Sequence, residues 1–264
     1  MTRVWNTVAE WMERRHALTG RSIGFVPTMG ALHRGHASLV KRCRQENEIV
    51  VVSVFVNPSQ FDDPRDLERY PRTLHEDLAL LKDLGADEVV APTASELYPH
   101  GYRFRVETNS LNQVMEGACR PGFLQGVMTV VLKLLNIVRP DRAYFGEKDY
   151  QQLKVVTDMV REFFISTEIV PCPTVREESG LAESSRNRLL SAAAREKAAC
   201  LFRALTTSAN PAEARAILEG EGFVVEYVEE HWGRRFVAAF LDGVRLIDNA
   251  PILEMKRSSL SERL

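Results

Sequence analysis

The chain has 264 residues, 45% of them hydrophobic and 27% charged, which suits one large globular domain or two modest ones with ample core. A formal charge of −2 excludes a net basic field for nucleic acid or an anionic membrane, so any anion site must be a local pocket. The start, MTRVWNTVAE, lacks the apolar core of a signal peptide, and the longest β-like apolar run, Ile49 to Val56, is too short to cross a bilayer as a helix. Cys43, Cys119, Cys172 and Cys200 are scattered with no CxxC pair, which predicts reduced, buried thiols, a cytoplasmic protein and no structural zinc.

In chain order, SIGFVPT (22–28) reads as a short buried strand. HASLVKRCRQEN (36–47) places Leu39, Val40 and Cys43 on one helical face. IVVVSVFVN (49–57) is apolar throughout, as strands buried on both faces of a parallel sheet are. TLHEDLALLKDLG (73–85) predicts an amphipathic helix ending at Gly85, and ADEVVAP (86–92) a strand. VMTVVLKLLNIVRP (127–140) predicts a mostly buried helix stopped before Pro140. DRAYFG (141–146) is the next strand, and DYQQLKVVTDMVREFF (149–164) a helix with Asp149 as N-cap type. TEIVPCP (167–173) ends the series. Repeated β–α alternation with short connections predicts a doubly wound α/β parallel sheet, whose ligands sit outside the carboxyl ends of the strands at the switch point.

After Pro171–Pro173 the pattern changes. TVREESGLAESSRNRL is polar, and helical segments near 191–208 and 211–219 follow. The runs FVVEYVEE, RFVAAFLDG and VRLIDNA are strand-like. This predicts a Rossmann-like domain over residues 1–171 and a smaller α+β domain over 172–264.

The stretch VPTMGALHRGH (26–36) joins the first predicted strand to the first helix. His33 and His36 read as a metal clip, a phosphate clamp or two polar residues at a helix start. The metal reading lacks further ligands at zinc spacing. The clamp reading has context, because a helix N-terminus offers unpaired N–H groups and partial positive charge to anions. Spacing of three puts both imidazoles on one side of the turn, and Gly30 and Gly35 leave the backbone accessible. The arrangement suits the phosphates of a nucleotide.

HRGH in this setting resembles the HxGH signature of the nucleotidyltransferase superfamily. The longer VPTMGALHRGH resembles the pantothenate synthetase (pantoate–β-alanine ligase) family. FVNPSQF (55–61), YPRT (70–73), GEKDYQQL (146–153), PTVRE (173–177), SSRN (184–187) and RLIDNA (245–250) resemble segments of that family, in its order. The resemblance spans roughly residues 20 to 250 and implies a Rossmann-like HxGH fold. The implied reaction is ATP-dependent condensation of pantoate with β-alanine through a pantoyl adenylate, releasing pyrophosphate and AMP. Magnesium is expected with the phosphates, no metal held by the protein alone, and a homodimer as the assembly.

Residue chemistry and resemblance together give the candidate site. For ATP the resemblance implies Met29, Gly30, Ala31, Leu32, His33, Arg34, Gly35 and His36, then Gly146, Glu147, Lys148 and Asp149, then Val175 at the adenine, and Glu183, Ser184, Ser185 and Arg186. Lys148 reaches phosphate as a point charge, and Asp149 takes a ribose hydroxyl, caps its helix or does both. SSRN is implied to be a lid segment over the β- and γ-phosphates, carried by the second domain; its residues read alone either as two hydroxyls and a guanidinium suited to pyrophosphate or as a helix N-cap. Asn57 and Gln60, leaving the valine-rich strand, and Gln152, three residues after Asp149, are implied at pantoate, with Gln60 near β-alanine. Asn57-Pro58-Ser59 is also plain turn chemistry. His36, His33, Lys148 and Arg186 are the expected catalytic residues, with His36 charged near neutral pH as proton donor to the leaving group.

Two positions depart from the family pattern. Glu183 stands where an apolar residue, often methionine, precedes SSRN, and would repel phosphate unless it turns away or pairs with Arg186 or Arg188. Phe123 stands where RPG is usually followed by histidine, with Gln125 altering the tail. Glu76 and Asp77 are candidate magnesium ligands or plain helix acids. Competing readings are another nucleotidyltransferase of the superfamily and a nucleotide-binding regulatory module that no longer catalyses, the latter favoured by Glu183.

Overall fold

The structure is a computed structural model that describes residues 2–62 and 64–252. Contacts divide the chain into two units: Met1–Glu177 with Ala182–Arg188, and Glu178–Leu181 with the chain from Leu189 on. The expected boundary at 171/172 cuts through the last strand of the larger unit. The SSRN stretch groups with the larger unit rather than the smaller. Residues 253–264 of the expected second domain lie outside the described residues.

The larger unit runs β1 (Arg3–Trp5), α1 (Val8–His16), β2 (Ile23–Thr28), α2 (Arg34–Glu46), β3 (Ile49–Val54), α3 (Pro64–Arg69), α4 (Leu74–Asp83) and β4 (Glu88–Val90). It continues with α5 (Ala94–Leu97), α6 (Met115–Cys119), α7 (Phe123–Val138), β5 (Arg142–Gly146), α8 (Tyr150–Glu162) and β6 (Glu168–Cys172). The six strands are all parallel, in the order β1-β4-β3-β2-β5-β6. Both faces are covered, and the alternation of side chains along each strand divides the core. Ile23, Phe25, Ile49 and Val51 join the cluster under α1, α7 and α8; Val26, Val50 and Val52 join the one under α2 and α4.

The strand order reverses between β2 and β5. Their pairing stops at Phe25↔Ala143, while β2 continues to Thr28 and β5 to Gly146. Pro27, which has no N–H to give, lies beyond that last rung and pairs only toward β3, opposite Ser53. The carboxyl ends of β2 and β5 are thus unpaired with each other at the topological switch point.

Local signals account for most element ends. Helix α4 closes in a Schellman turn, with Gly85 at φ +80 donating to Lys82 O and Ala86 N–H donating to Leu81 O. Helix α7 stops at Arg139 before Pro140, as expected, but begins at Phe123, four residues before the expected start. The amino-terminal β1 and α1 were not anticipated, although Thr7 and Glu10 form a capping box. Asp149 sits at the N-cap of α8 but makes no capping hydrogen bond there, because a 3-10 turn over Glu147–Asp149 precedes it.

The smaller unit has α9 (Ala192–Ala198), α10 (Cys200–Thr207), α11 (Pro211–Gly220) and the antiparallel sheet β7 (Val224–His231), β8 (Arg234–Leu241), β9 (Val244–Pro251). Its core is separate, built on Leu201, Leu205, Leu218 and Val237.

Gly24 on β2 faces α2, where an added Cβ would lie 2.3 Å from Cys43 Sγ and 2.5 Å from Asn47 Nδ2. Gly24→Ala is expected to lower unfolding free energy by about 1–3 kcal/mol through overpacking, read from urea denaturation.

Candidate active site

The turn after β2 is held by a buried carboxylate. Asp77, 3% exposed at the start of α4, accepts the N–H groups of Ala31 at 3.0 Å and Leu32 at 2.8 Å, and the Thr73 hydroxyl at 3.1 Å. Gly30 meets the same carboxylate: at φ +78, an added Cβ would lie 2.9 Å from Asp77 Oδ2. Of the two candidate magnesium ligands, Asp77 is therefore committed to this turn, and Glu76 is exposed.

The turn delivers His33 to the N-cap of α2 and His36 to its first turn. Gly35 N–H donates to His33 Nδ1 at 3.1 Å, and His33 N–H donates to His36 Nδ1 at 3.4 Å. A backbone N–H can only donate, so each Nδ1 is the acceptor and each neutral ring carries its proton on Nε2. The ring centroids are 4.1 Å apart. The space a Cβ would take at Gly35 is filled by the His33 ring, 2.8 Å away at Cε1, so this glycine serves the cap rather than a ligand. At Gly146 nothing lies within 4 Å of an added Cβ, and the backbone there is open to a ligand.

Burial chiefly, then the Lys148 charge and Arg188 against the opposing Asp149, pushes the His33 imidazole down to about 4. Burial, His33 and Lys148 push His36 down to about 3. The expected imidazolium is therefore not the resting form of either ring at neutral pH. Both present neutral Nε2–H donors, with the Lys148 ammonium close enough to act on them.

The SSRN stretch is tied to the same unit. Glu183 N–H donates to Val175 O at 2.9 Å. Arg186 Nη2 reaches Asp66 Oδ2 at 2.8 Å, the buried Tyr70 bonds Ser185, and Arg188 Nη2 donates to Leu32 O at 3.3 Å. Glu183 turns to Arg34, the variable residue of HRGH, at 3.6 Å, and not to Arg186 or Arg188. Asp66 and Tyr70 were missed as site residues, and Asp77 was expected only as a metal ligand or helix acid, because no local pattern marks a partner so far away in sequence.

On the other side of the sheet opening, Asn57 is 1% exposed and fully bonded. Its Oδ1 accepts Ser59 N–H at 3.4 Å, Ser59 Oγ at 3.0 Å and the Tyr98 hydroxyl at 3.0 Å. Its Nδ2 donates to Gly126 O at 3.2 Å and Gln60 Oε1 at 3.0 Å. Arg120 holds the Gln60 carbonyl at 3.2 Å, and its guanidinium stacks 3.9 Å over Phe123. Asn57 is thus a support rather than a contact surface, and Phe123 supports Arg120. Gln60 and Gln152 are half-buried, and neither Gln60 Nε2 nor any polar side-chain atom of Gln152 is bonded to another described residue.

The depressed imidazole pKa values carry a stability consequence. The folded state binds fewer protons than the unfolded chain between about 4 and the unperturbed 6.5. This contribution is complete above pH 6.5 and is lost as pH falls toward 4 for His33 and toward 3 for His36. In urea unfolding at pH 7, 5.5 and 4.5, the double variant His33→Asn, His36→Gln is expected to lose less stability on acidification than the parent; equal slopes would contradict the assignment.

A family model described as pantoate-beta-alanine ligase matches residues 2–251. A pantothenate synthetase of Bdellovibrio bacteriovorus is 51% identical over 96% of this chain and 100% of its own, and one of Legionella pneumophila is 47% identical over 93% and 98%. A solved pantoate-beta-alanine ligase of Francisella tularensis, complexed with beta-gamma ATP and beta-alanine, superposes with a TM-score of 0.91 at 40% identity, covering 95% of this chain and 98% of that one. A pantothenate synthetase structure from Thermus thermophilus gives 0.87 at 45% identity, over 94% and 99%. With a full-length family match and relatives this similar over nearly their whole length, the chain belongs to the pantoate–β-alanine ligase family.

Proposed function

We propose that the chain condenses pantoate with β-alanine at the expense of ATP. The observation that carries the site assignment is the pair of Nε2–H imidazoles capping α2 beside Lys148, at the unpaired carboxyl ends of β2 and β5. The relative with beta-gamma ATP and beta-alanine bound supports the same ligands here.

In the first half-reaction a pantoate carboxylate oxygen attacks the α-phosphorus, and the bond to the bridging oxygen breaks with pyrophosphate leaving. In the second, the β-alanine amine attacks the acyl carbon, AMP leaves, and the amine gives up a proton. The chain's task is to hold two anions in line and stabilise charge on the leaving pyrophosphate. His33, His36 and Lys148 would donate to the triphosphate, and Ser184, Ser185 and Arg186 to its β- and γ-phosphates. The open backbone at Gly146 to Asp149 and the Val175 segment would flank the nucleoside, with Met29 to Gly35 beneath the phosphates and Glu183 drawn off by Arg34. Gln60 and Gln152 would hold pantoate.

Magnesium is read as arriving with the nucleotide. Among the described residues no three His, Cys, Asp or Glu side chains converge to hold a metal, and magnesium bound mainly by phosphate oxygens and water needs no such cage. When bound it would neutralise phosphate charge. No helix of the described residues is long and apolar enough to cross a membrane; Cys43, Cys172 and Cys200 are buried as expected, whereas Cys119 is exposed, and four cysteines outside any disulfide suit a cytoplasmic enzyme. A homodimer is proposed on family grounds.

Purified protein is expected to show pantoate-dependent ATP–pyrophosphate exchange, and AMP release only when β-alanine is also present. His36→Ala is expected to slow single-turnover pyrophosphate release by about 10²–10³-fold, the range for a lost transition-state donor. A change below about threefold would remove His36 from the chemistry.

A further inference from the structure

We propose that Tyr98 is a positioning residue for the acid substrate, acting through Asn57 to fix which face of the Gln60 amide meets pantoate. The inference rests on the reading that Gln60 holds the acid.

The chain of constraint contains no ambiguous atom at its centre. A backbone N–H only donates and a backbone carbonyl only accepts. Ser59 N–H therefore identifies the oxygen of the Asn57 amide, and Gly126 O identifies its nitrogen. With Nδ2 facing Gln60 at 3.0 Å, the Gln60 amide must turn its oxygen inward and its Nε2 hydrogens outward. Gln60 then shows the site donors alone, which a carboxylate or hydroxyl oxygen can accept.

Tyr98 holds this setting from the far side. Its hydroxyl donates to Asn57 Oδ1 at 3.0 Å in a buried contact 41 residues distant in sequence. The ring is itself fixed by Tyr102, 4.2 Å away between centroids, and by Lys133 Nζ, 5.0 Å over its face. Burial raises the hydroxyl to about 12, so it remains a donor through the working pH range. Gly126 permits the close approach, since an added Cβ would lie 2.3 Å from Ser59 O.

The test is a double-mutant cycle on the full chain, reading KM for pantoate and for ATP in pyrophosphate exchange. Tyr98→Phe is expected to raise the pantoate KM about three- to tenfold, the equivalent of one lost hydrogen bond, with the ATP KM and the thermal midpoint little changed. Ser59→Ala, which removes another donor to the same oxygen, is expected to act alike. In a Gln60→Ala background Tyr98→Phe is expected to add less than about twofold. A full additional effect there, an equal rise in the ATP KM, or an unchanged pantoate KM for Tyr98→Phe alone would overturn the positioning role. An unchanged pantoate KM in Gln60→Ala itself would instead remove Gln60 from the acid site, and the inference with it, while leaving the family activity standing.

Discussion

The site depends on the burial of the Asp77 carboxylate among three donors. An ionised carboxylate taken out of water costs several kcal/mol unless hydrogen bonds replace its hydration. Here the replacements are the Ala31 and Leu32 amides and the Thr73 hydroxyl, so charge and turn stabilise each other. The backbone accepts an unusual course in return: Gly30 at φ 78 and Ala31 at φ 50 are both in the left-handed region. That course delivers His33 to the end of α2, and everything the imidazoles do follows from their place there.

Capping also decides the electrostatics. A histidine that caps with Nδ1 has surrendered its acceptor, and half-burial beside Lys148 disfavours a second proton. The first turn of α2 holds no acidic residue, so its positive end is not neutralised from within the helix. Glu183 comes close to that end, its Cβ 3.7 Å from where a Cβ on Gly35 would lie, and Arg34 carries the opposite charge to meet it at 3.6 Å. The departure from the family pattern is thereby answered by the variable residue of the HxGH motif itself. The repulsion on which the regulatory reading rested is partly offset by this pair with the exposed Arg34.

Much of this was legible in the sequence where a residue's role is local. The apolar runs of β2 and β3, the glycine stop of α4 and the histidine spacing all act within a few positions, and each is found where the pattern put it, save that β3 ends at Val54 rather than Asn57. Long-range partners were not legible. Asp77 looked like one of two interchangeable helix acids, yet it is buried while Glu76 is exposed. Asn57 looked like a ligand contact because it leaves a strand at the carboxyl edge, but Tyr98 and Gly126, distant in sequence, consume its amide. Asp149 looked like a cap, and a preceding 3-10 turn took that role from it. The α1 capping box was readable and passed over, because β1 and α1 precede the segments whose alternation defined the fold.

The two halves of the site share one principle. On the nucleotide side, backbone N–H groups fix Nδ1 of each histidine and leave Nε2–H facing out. On the side proposed for the acid, a backbone N–H and a backbone carbonyl fix the Asn57 amide, which leaves the Gln60 Nε2 hydrogens facing out. In both, a main-chain group of unchangeable polarity settles the orientation of a side chain that has two. The result is a lining of donors, neutral at the rings and amides and charged at Lys148 and Arg186, suited to substrates that are acceptors. Neutral donors bind anions without an opposing charge that product must escape, and two anions must share this site before they react. In the proposed site, Lys148 and Arg186 set among uncharged donors would let carboxylate and triphosphate come together while stabilising the pyrophosphate as it leaves.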